Sequence, residues 1–226
     1  MKSNKKSVAM ASSDRKEIKR KRIMRLFICS AEEIIRREGL DKLTIRKVAD
    51  ATGYSSATIY SYFEDLDELT LYASLRYRKE YLIEMSQQIT DGMSALEQFR
   101  TYYLIHCEYI FHLPNIYMNL FFGRHSQRIA QIKKIFYDLF PEDYVQQTDL
   151  IRQMFNQEQW IDADRYLARH LANANYIKKE NADIVAELAV RVQETFLYEF
   201  CIHPNKSISK QIDAFMKLLD HIIATN

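Results

Sequence analysis

The stretch TIRKVADATGYSSATIYSYF, residues 44–63, decides how this chain is read. Thr44 can cap a short helix over Ile45–Thr52, because its side-chain oxygen can accept an amide hydrogen bond that the first helical turn leaves open. Gly53-Tyr54-Ser55 forms a turn, in which Gly53 tolerates the positive φ of a three-residue connection. Ser55 or Ser56 then caps a second short helix over 56–63. Val48, Ile59 and Tyr62 fall where they face inward and lock the two helices at a steep angle. Ala49 is small where the second helix crosses the first. This spacing is that of a helix-turn-helix.

Upstream, Phe27, Ile28, Ala31, Ile34 and Ile35 recur on one face of a helix that runs to Glu38, and Gly39 follows where a left-handed cap is wanted. Residues 1–13 read as a flexible tail. Downstream, Asp65 can cap a long helix over 66–87, and helical spacing then recurs near 94–112, 115–122, 126–140, 146–157, 162–177, 181–201 and 207–225. The chain has only 4 Gly and 3 Pro, and every one falls at a break between these segments. Strand-rich folds need more turn residues than that. An all-α fold is therefore expected. A tail (1–13) precedes an N-terminal three-helix domain with the helix-turn-helix (14–65) and a larger helical domain for ligand binding and dimerisation (66–226).

Charge is divided unevenly. Through Phe63 the chain carries 15 Lys/Arg and 7 Asp/Glu, and the remainder carries 17 and 23, although the net charge is only +2. A basic end on an acidic body suits contact with a polyanion. In the second motif helix the outward residues Ser56, Ala57, Thr58, Tyr60 and Ser61 are small or hydroxylic. Such residues let the backbone approach a major groove, reach bases or phosphates and touch a thymine methyl. Upstream of them, Arg15, Lys16, Lys19, Arg20, Lys21, Arg22 and Arg25 form a basic segment that can follow phosphates or enter the minor groove; Arg15, Lys19 and Arg22 are its candidate contacts.

The whole pattern resembles the TetR family of transcriptional regulators. The matching residues are Ile28, Ala31, Ile34-Ile35, Glu38-Gly39, Leu43-Thr44-Ile45, Val48-Ala49, Gly53-Tyr54-Ser55, Thr58-Ile59-Tyr60, Tyr62-Phe63 and Glu68-Leu69. The resemblance implies that Thr44 and Arg46 meet phosphates or bases, that Ser56, Ala57, Thr58 and Tyr60 lie in the major groove beside Ser55 and Ser61, and that Tyr62 bonds a phosphate. One departure stands out. The family usually has a backbone-contacting lysine shortly after the Tyr-Phe pair; here Leu66 occupies that place, between Glu64, Asp65, Asp67 and Glu68, an acidic flank that repels DNA.

The family's last helices usually dimerise. Segments 181–201 and 207–225 carry wide apolar stripes, and Ile184, Leu188, Val192, Phe196, Ile212, Phe215 and Leu219 are the candidate interface of a four-helix bundle between two copies, or else close the monomer core. The middle of the chain is rich in aromatics and His. Tyr103, His106, Phe121, Trp160, Tyr166 and His170 are candidate walls of a small-molecule pocket, or ordinary core. By resemblance the pocket would take an inducer of unknown identity, and the regulator would be a repressor that reads a palindrome in double-stranded DNA as a homodimer.

Other classes find little support. There is no Gly-x-Ser-x-Gly, no Gly-rich phosphate loop and no His-Glu-x-x-His, so an enzyme is not expected. Asp162 and Asp164, two apart, point to different helix faces and read as helix caps. His106, His112, His125 and His170 have no metal spacing, so neither a metal nor another cofactor is expected. Cys29, Cys107 and Cys201 lack a zinc or disulfide pattern and suit free thiols in a reducing cytoplasm. No signal peptide is apparent, and the uncharged stretch 109–123 is too short for a membrane span. The remaining alternative is a helical protein-binding adaptor that has lost sequence-specific DNA binding, to which the acidic flank points.

Overall fold

The computed structural model describes residues 14–226 in full and, for 2–13, only the helical course of the backbone. The tail expected over 1–13 lies outside the fully described residues. The elements are α1 (Lys2–Glu38), α2 (Ile45–Thr52), α3 (Ser56–Tyr60), α4 (Leu66–Leu75), α5 (Arg78–Gln88), α6 (Ala95–His112), α7 (Pro114–Phe122), α8 (Ile129–Leu139), α9 (Asp149–Phe155), α10 (Trp160–Asn173), α11 (Ala182–Ile202) and α12 (Ile208–Thr225). Short 3-10 turns join several of them, and there is no strand among the described residues.

Local chemistry sets the helix ends around the motif. Thr44 accepts the Lys47 amide at 3.2 Å, Ser55 rather than Ser56 accepts the Thr58 amide at 3.2 Å, and Asp65 accepts the Glu68 amide at 2.8 Å. Gly53 ends α2 in the left-handed region at φ 73°, which a side chain would oppose. α3 is shorter than expected: after Tyr60 the chain leaves the helix, and Ser61 and Tyr62 continue as a turn that leads into Phe63.

The head, α1–α3, closes over a small apolar centre. Phe27, Ile28, Ala31, Val48 and Ile59 are fully buried. Phe27 meets Tyr54, Tyr62 and Phe63 edge-on, at centroid distances of 5.3, 5.6 and 6.4 Å. Each large apolar side chain so buried contributes about 1.5–3 kcal/mol. Phe63 also packs edge-on against Tyr72 of α4 at 5.7 Å, so the core of the head runs without a break into the body. Polar links reinforce the seam: Lys21 pairs with Asp138 at 2.7 Å, Arg25 with Glu142 at 2.6 Å, and Arg76 reaches both Glu32 and Asp143.

One element differs in kind. The single helix expected over 66–87 is two, α4 and α5, parted at Arg76 and Tyr77 by i→i+3 bonds. Neither Gly nor Pro marks this break. Its cause is tertiary: Arg76 turns toward Glu32 and Asp143, while Arg78, two residues on, is buried against Phe155 and Trp160.

Candidate nucleic-acid interface and effector cavity

The head presents most of the expected DNA contacts to solvent. Thr44, Arg46, Ser55, Ala57, Tyr60 and Ser61 are exposed, and Ser56, Thr58 and Tyr62 are partly so. Hydroxyls are already ordered by the helix they would read from: Ser55 Oγ lies 2.9 Å from Thr58 Oγ1, and Ser61 Oγ donates to the Thr58 carbonyl at 2.6 Å. Arg46 stands free apart from a 3.9 Å approach to Asp50. Lys47 is occupied by Glu38 at 2.5 Å; Lys47 and Arg37 together hold the Glu38 carboxyl at about 2. Arg15, Lys19 and Arg22 are exposed, and their 4- and 3-residue spacing sets them on one side of α1. Arg20 instead lies over the Tyr62 ring, 4.9 Å from its centroid.

The acidic flank after Phe63 is not free charge. Arg128 bonds Glu64 at 2.8 Å and Glu68 at 3.2 Å. His125 Nε2 lies 2.8 Å from Asp65, and Arg124 reaches Asp65 and Asp67 at 3.3 and 3.7 Å. Burial opposes ionisation of Asp65, but the Glu68 amide, His125 and Arg124 outweigh it and hold the carboxyl below its usual range. The flank expected to repel DNA is thus tied to, and partly offset by, the turn between α7 and α8. Sequence reading missed Arg124 and Arg128; their partners stand some sixty residues away, and no local pattern links them.

That turn has a second face. Phe122, Ser126 and Gln127 form part of the wall of a cavity of about 330 Å³ in the body. Tyr102 and His106 of α6, Phe121 of α7, Phe155 of α9, and Trp160, Ala163 and Asp164 of α10 also line it, with Gln193 of α11. His106 is sandwiched between Tyr102 and Phe121, at 5.3 and 5.4 Å, and its Nδ1 is 2.7 Å from the Tyr81 hydroxyl. Its Nε2 has no hydrogen-bond partner. Burial, with the nearby charge of Arg78, brings the imidazole down to about 3, so it is neutral. Burial pushes Asp164 up to about 7 although Tyr103 donates to it at 2.7 Å. Arg165, Glu187 and Arg191 border it too, so an aromatic wall faces polar and charged groups across a space of small-molecule size.

Of the six expected pocket residues, His106, Phe121 and Trp160 line this cavity. Tyr103 stands behind it, bonded to Asp164. Tyr166 and His170 do not reach it. Tyr166 lines a shallow surface groove with Arg169, and His170 bonds Gln98 at 2.8 Å. Helical phase explains the division, since Ala163, Asp164, Leu167 and Leu171 form the buried side of α10. Asp162 does cap α10, accepting from the Gln159 amide, but Asp164 points inward and is not a cap.

The expected dimer residues divide similarly. Ile184 and Leu188 are exposed, and Val192 and Phe196 are half-buried. Ile212, Phe215 and Leu219 are buried within this one chain, so they close its own core. The free apolar stripe consists of Ile184, Leu188, Tyr198 and Ile202 on α11, with Leu218 on α12. Among the described residues no cluster of His, Cys, Asp and Glu is arranged to hold a metal, and no helix is long and apolar enough to cross a membrane. All three cysteines are free thiols.

A basic head with an exposed, hydroxyl-rich motif helix, fused to a helical body with a cavity, is the architecture of helix-turn-helix transcription regulators. Residues 28–73 match the family model for bacterial regulatory proteins of the tetR family. That segment is thus similar to the tetR-family DNA-binding domain, and the chain as a whole shares its fold with TetR-family regulators. Thermus thermophilus FadR, a TetR-family transcriptional repressor solved in complex with lauroyl-CoA, superposes with a TM-score of 0.58 at 12% identity, over 87% of this chain and 92% of that one. A TetR-family regulator from Syntrophomonas wolfei gives 0.57 at 13% identity, over 92% and 96%. SmeT, the repressor of the Stenotrophomonas maltophilia multidrug efflux pump SmeDEF, gives 0.52 at 12%, over 89% of each chain. Likeness at such identities is one of fold. Comparison of the sequence with curated proteins gives no significant match.

Proposed function

We propose that this chain is a repressor that binds a palindromic operator as a homodimer and releases it when a small organic effector enters the cavity of the body. The observation that carries this reading is the double role of residues 122–128. Phe122, Ser126 and Gln127 border the cavity, while Arg124, His125 and Arg128 grip Glu64, Asp65 and Glu68 directly after the motif. An occupant that moves one face of this turn must move the other, and with it the spacing of two recognition helices in a dimer. Two of the fold neighbours are described as repressors, and one of them holds an acyl-CoA. The aromatic wall here favours an effector with an apolar or planar body. The exposed stripe Ile184, Leu188, Tyr198 and Ile202 is the proposed contact between copies. The adaptor alternative rested on the acidic flank, and those carboxylates are engaged within the chain.

The test is retention of fragments from around the protein's own gene, followed by gel shift or anisotropy over a range of salt. Sequence-selective retention with a steep salt slope is expected; unselective or absent retention would overturn the regulator reading and favour the adaptor. In parallel, Leu188→Glu should convert a dimer to a monomer in sedimentation and abolish selective binding. A parent chain that sediments as a monomer would remove the dimer from the proposal.

A further inference from the structure

Beside the cavity lies a second chamber of about 230 Å³, between α5, α8 and the connection from α9 to α10. Two cations border it. Arg78 is only 2% exposed, and its Nε and Nη2 have no hydrogen-bond partner. Its guanidinium lies over the rings of Phe155 and Trp160, at 5.1 and 4.8 Å. Lys133 donates to the carbonyls of Phe155 and Gln157, at 2.8 and 3.2 Å, and stands 5.5 Å over Trp160. No carboxylate pairs with either side chain among the described residues. Burial, then the charge of Arg78, brings the Lys133 ammonium down to about 7. Exposed Lys134 adds a third cation at the rim.

A buried arginine that serves only the fold satisfies its five N–H donors with carboxylates or carbonyls, because an unpaired buried charge is destabilising. Arg76, two residues earlier and only partly buried, pairs with the carboxylates of Glu32 and Asp143. Arg78 does not. A fork with open donors, a second cation and aromatic walls is instead the chemistry that recognises a planar or tetrahedral anion. We infer that this chamber is an anion site, in which Arg78 and Lys133 bind the carboxylate or phosphate group of an acidic effector. Phe155 walls both the chamber and the larger cavity, so the anion would lie beside the space for the effector's apolar body. This deepens the effector-responsive reading and rests on it.

Trp160 is the only tryptophan of the chain and touches both cations, so its emission reports the site. The full chain, without DNA, is titrated at constant ionic strength in chloride with inorganic phosphate, with benzoate and with the neutral benzamide. A saturable emission change is expected with phosphate or benzoate, and which of them binds tells the two anion chemistries apart. Affinity for that anion should weaken roughly tenfold in Arg78→Met and several-fold in Lys133→Met. Arg78→Lys, which keeps the charge and loses the fork, should fall between Arg78→Met and the parent. In the absence of anion, thermal unfolding of Arg78→Met should match or exceed the parent's, as expected where no internal hydrogen bond is lost, whereas Lys133→Met gives up its bonds to the Phe155 and Gln157 carbonyls and should unfold somewhat lower. No saturable response to either anion overturns the inference; so does an equal response to benzamide, or unchanged affinity in both Met variants. Selective DNA retention without an anion response removes this site alone, whereas an anion response without DNA retention removes the regulator reading and leaves the site standing.

Discussion

Charged residues are used in opposite ways at the seam between head and body and around the cavities of the body. At the seam each charge has a partner: Arg76 with Glu32 and Asp143, Arg128 with Glu64 and Glu68, Arg124 and His125 with Asp65. Around the cavity and the adjoining chamber, buried Arg78, His106 and Asp164 and half-buried Lys133 are shifted or left without a full complement of partners. Paired charges fix a geometry; unpaired buried ones hold a destabilising state that a ligand can relieve. The seam is therefore held in one geometry, while the groups around the two cavities carry an unrelieved desolvation cost.

The strongest test of this contrast compares the two neighbouring arginines. Arg76→Met leaves Glu32 and Asp143 with fewer partners and should destabilise by about 2–3 kcal/mol, read as a lower urea midpoint. Arg78→Met should leave that midpoint unchanged or raise it. Equal losses in the two variants would erase the distinction.

Next in size is Asp164. Its carboxyl ionises near 4 in an unfolded chain and at about 7 in the fold, so the unfolded state releases the proton first. Its destabilising effect is absent below about pH 4, grows from there to about pH 7 and is constant above. Asp164→Asn should thus gain on the order of 1–3 kcal/mol at pH 8 and almost nothing at pH 4. A gain that does not vary with pH would mean that the carboxyl is not held neutral.

A smaller effect is expected at the seam's rim. Arg128 is partly exposed, and Arg128→Gln should change stability by no more than about 1 kcal/mol. Its consequence should appear in coupling instead: operator affinity would stay within a few-fold, while effector-driven release weakens. Smallest is the basic face of α1, where Lys19→Gln should leave unfolding unchanged and lower the salt slope of DNA binding by roughly one unit.

The two regions also differed in how well they could be read beforehand. Thr44, Gly53, Ser55 and Asp65 act on amides within four residues of themselves, so their caps follow from spacing alone. The aromatic character of the cavity was legible too, and His106, Phe121 and Trp160 do line it. Tyr166 and His170 were not separable from these three, because which side of α10 faces inward depends on where α6 and α11 pack. Arg78 and Lys133 carry no motif and gave no signal.

By itself the sequence determined the all-helical class, the crossed pair of short helices and the solvent-facing hydroxyls of the second, since caps, breakers and periodicity act over a few residues. Only the tertiary structure decided that α4 and α5 part at Arg76, that Ile212, Phe215 and Leu219 turn inward, and that the acidic flank meets Arg124, His125 and Arg128. Each of those outcomes depends on side chains tens of residues apart being brought within contact distance, and local spacing carries no information about such meetings.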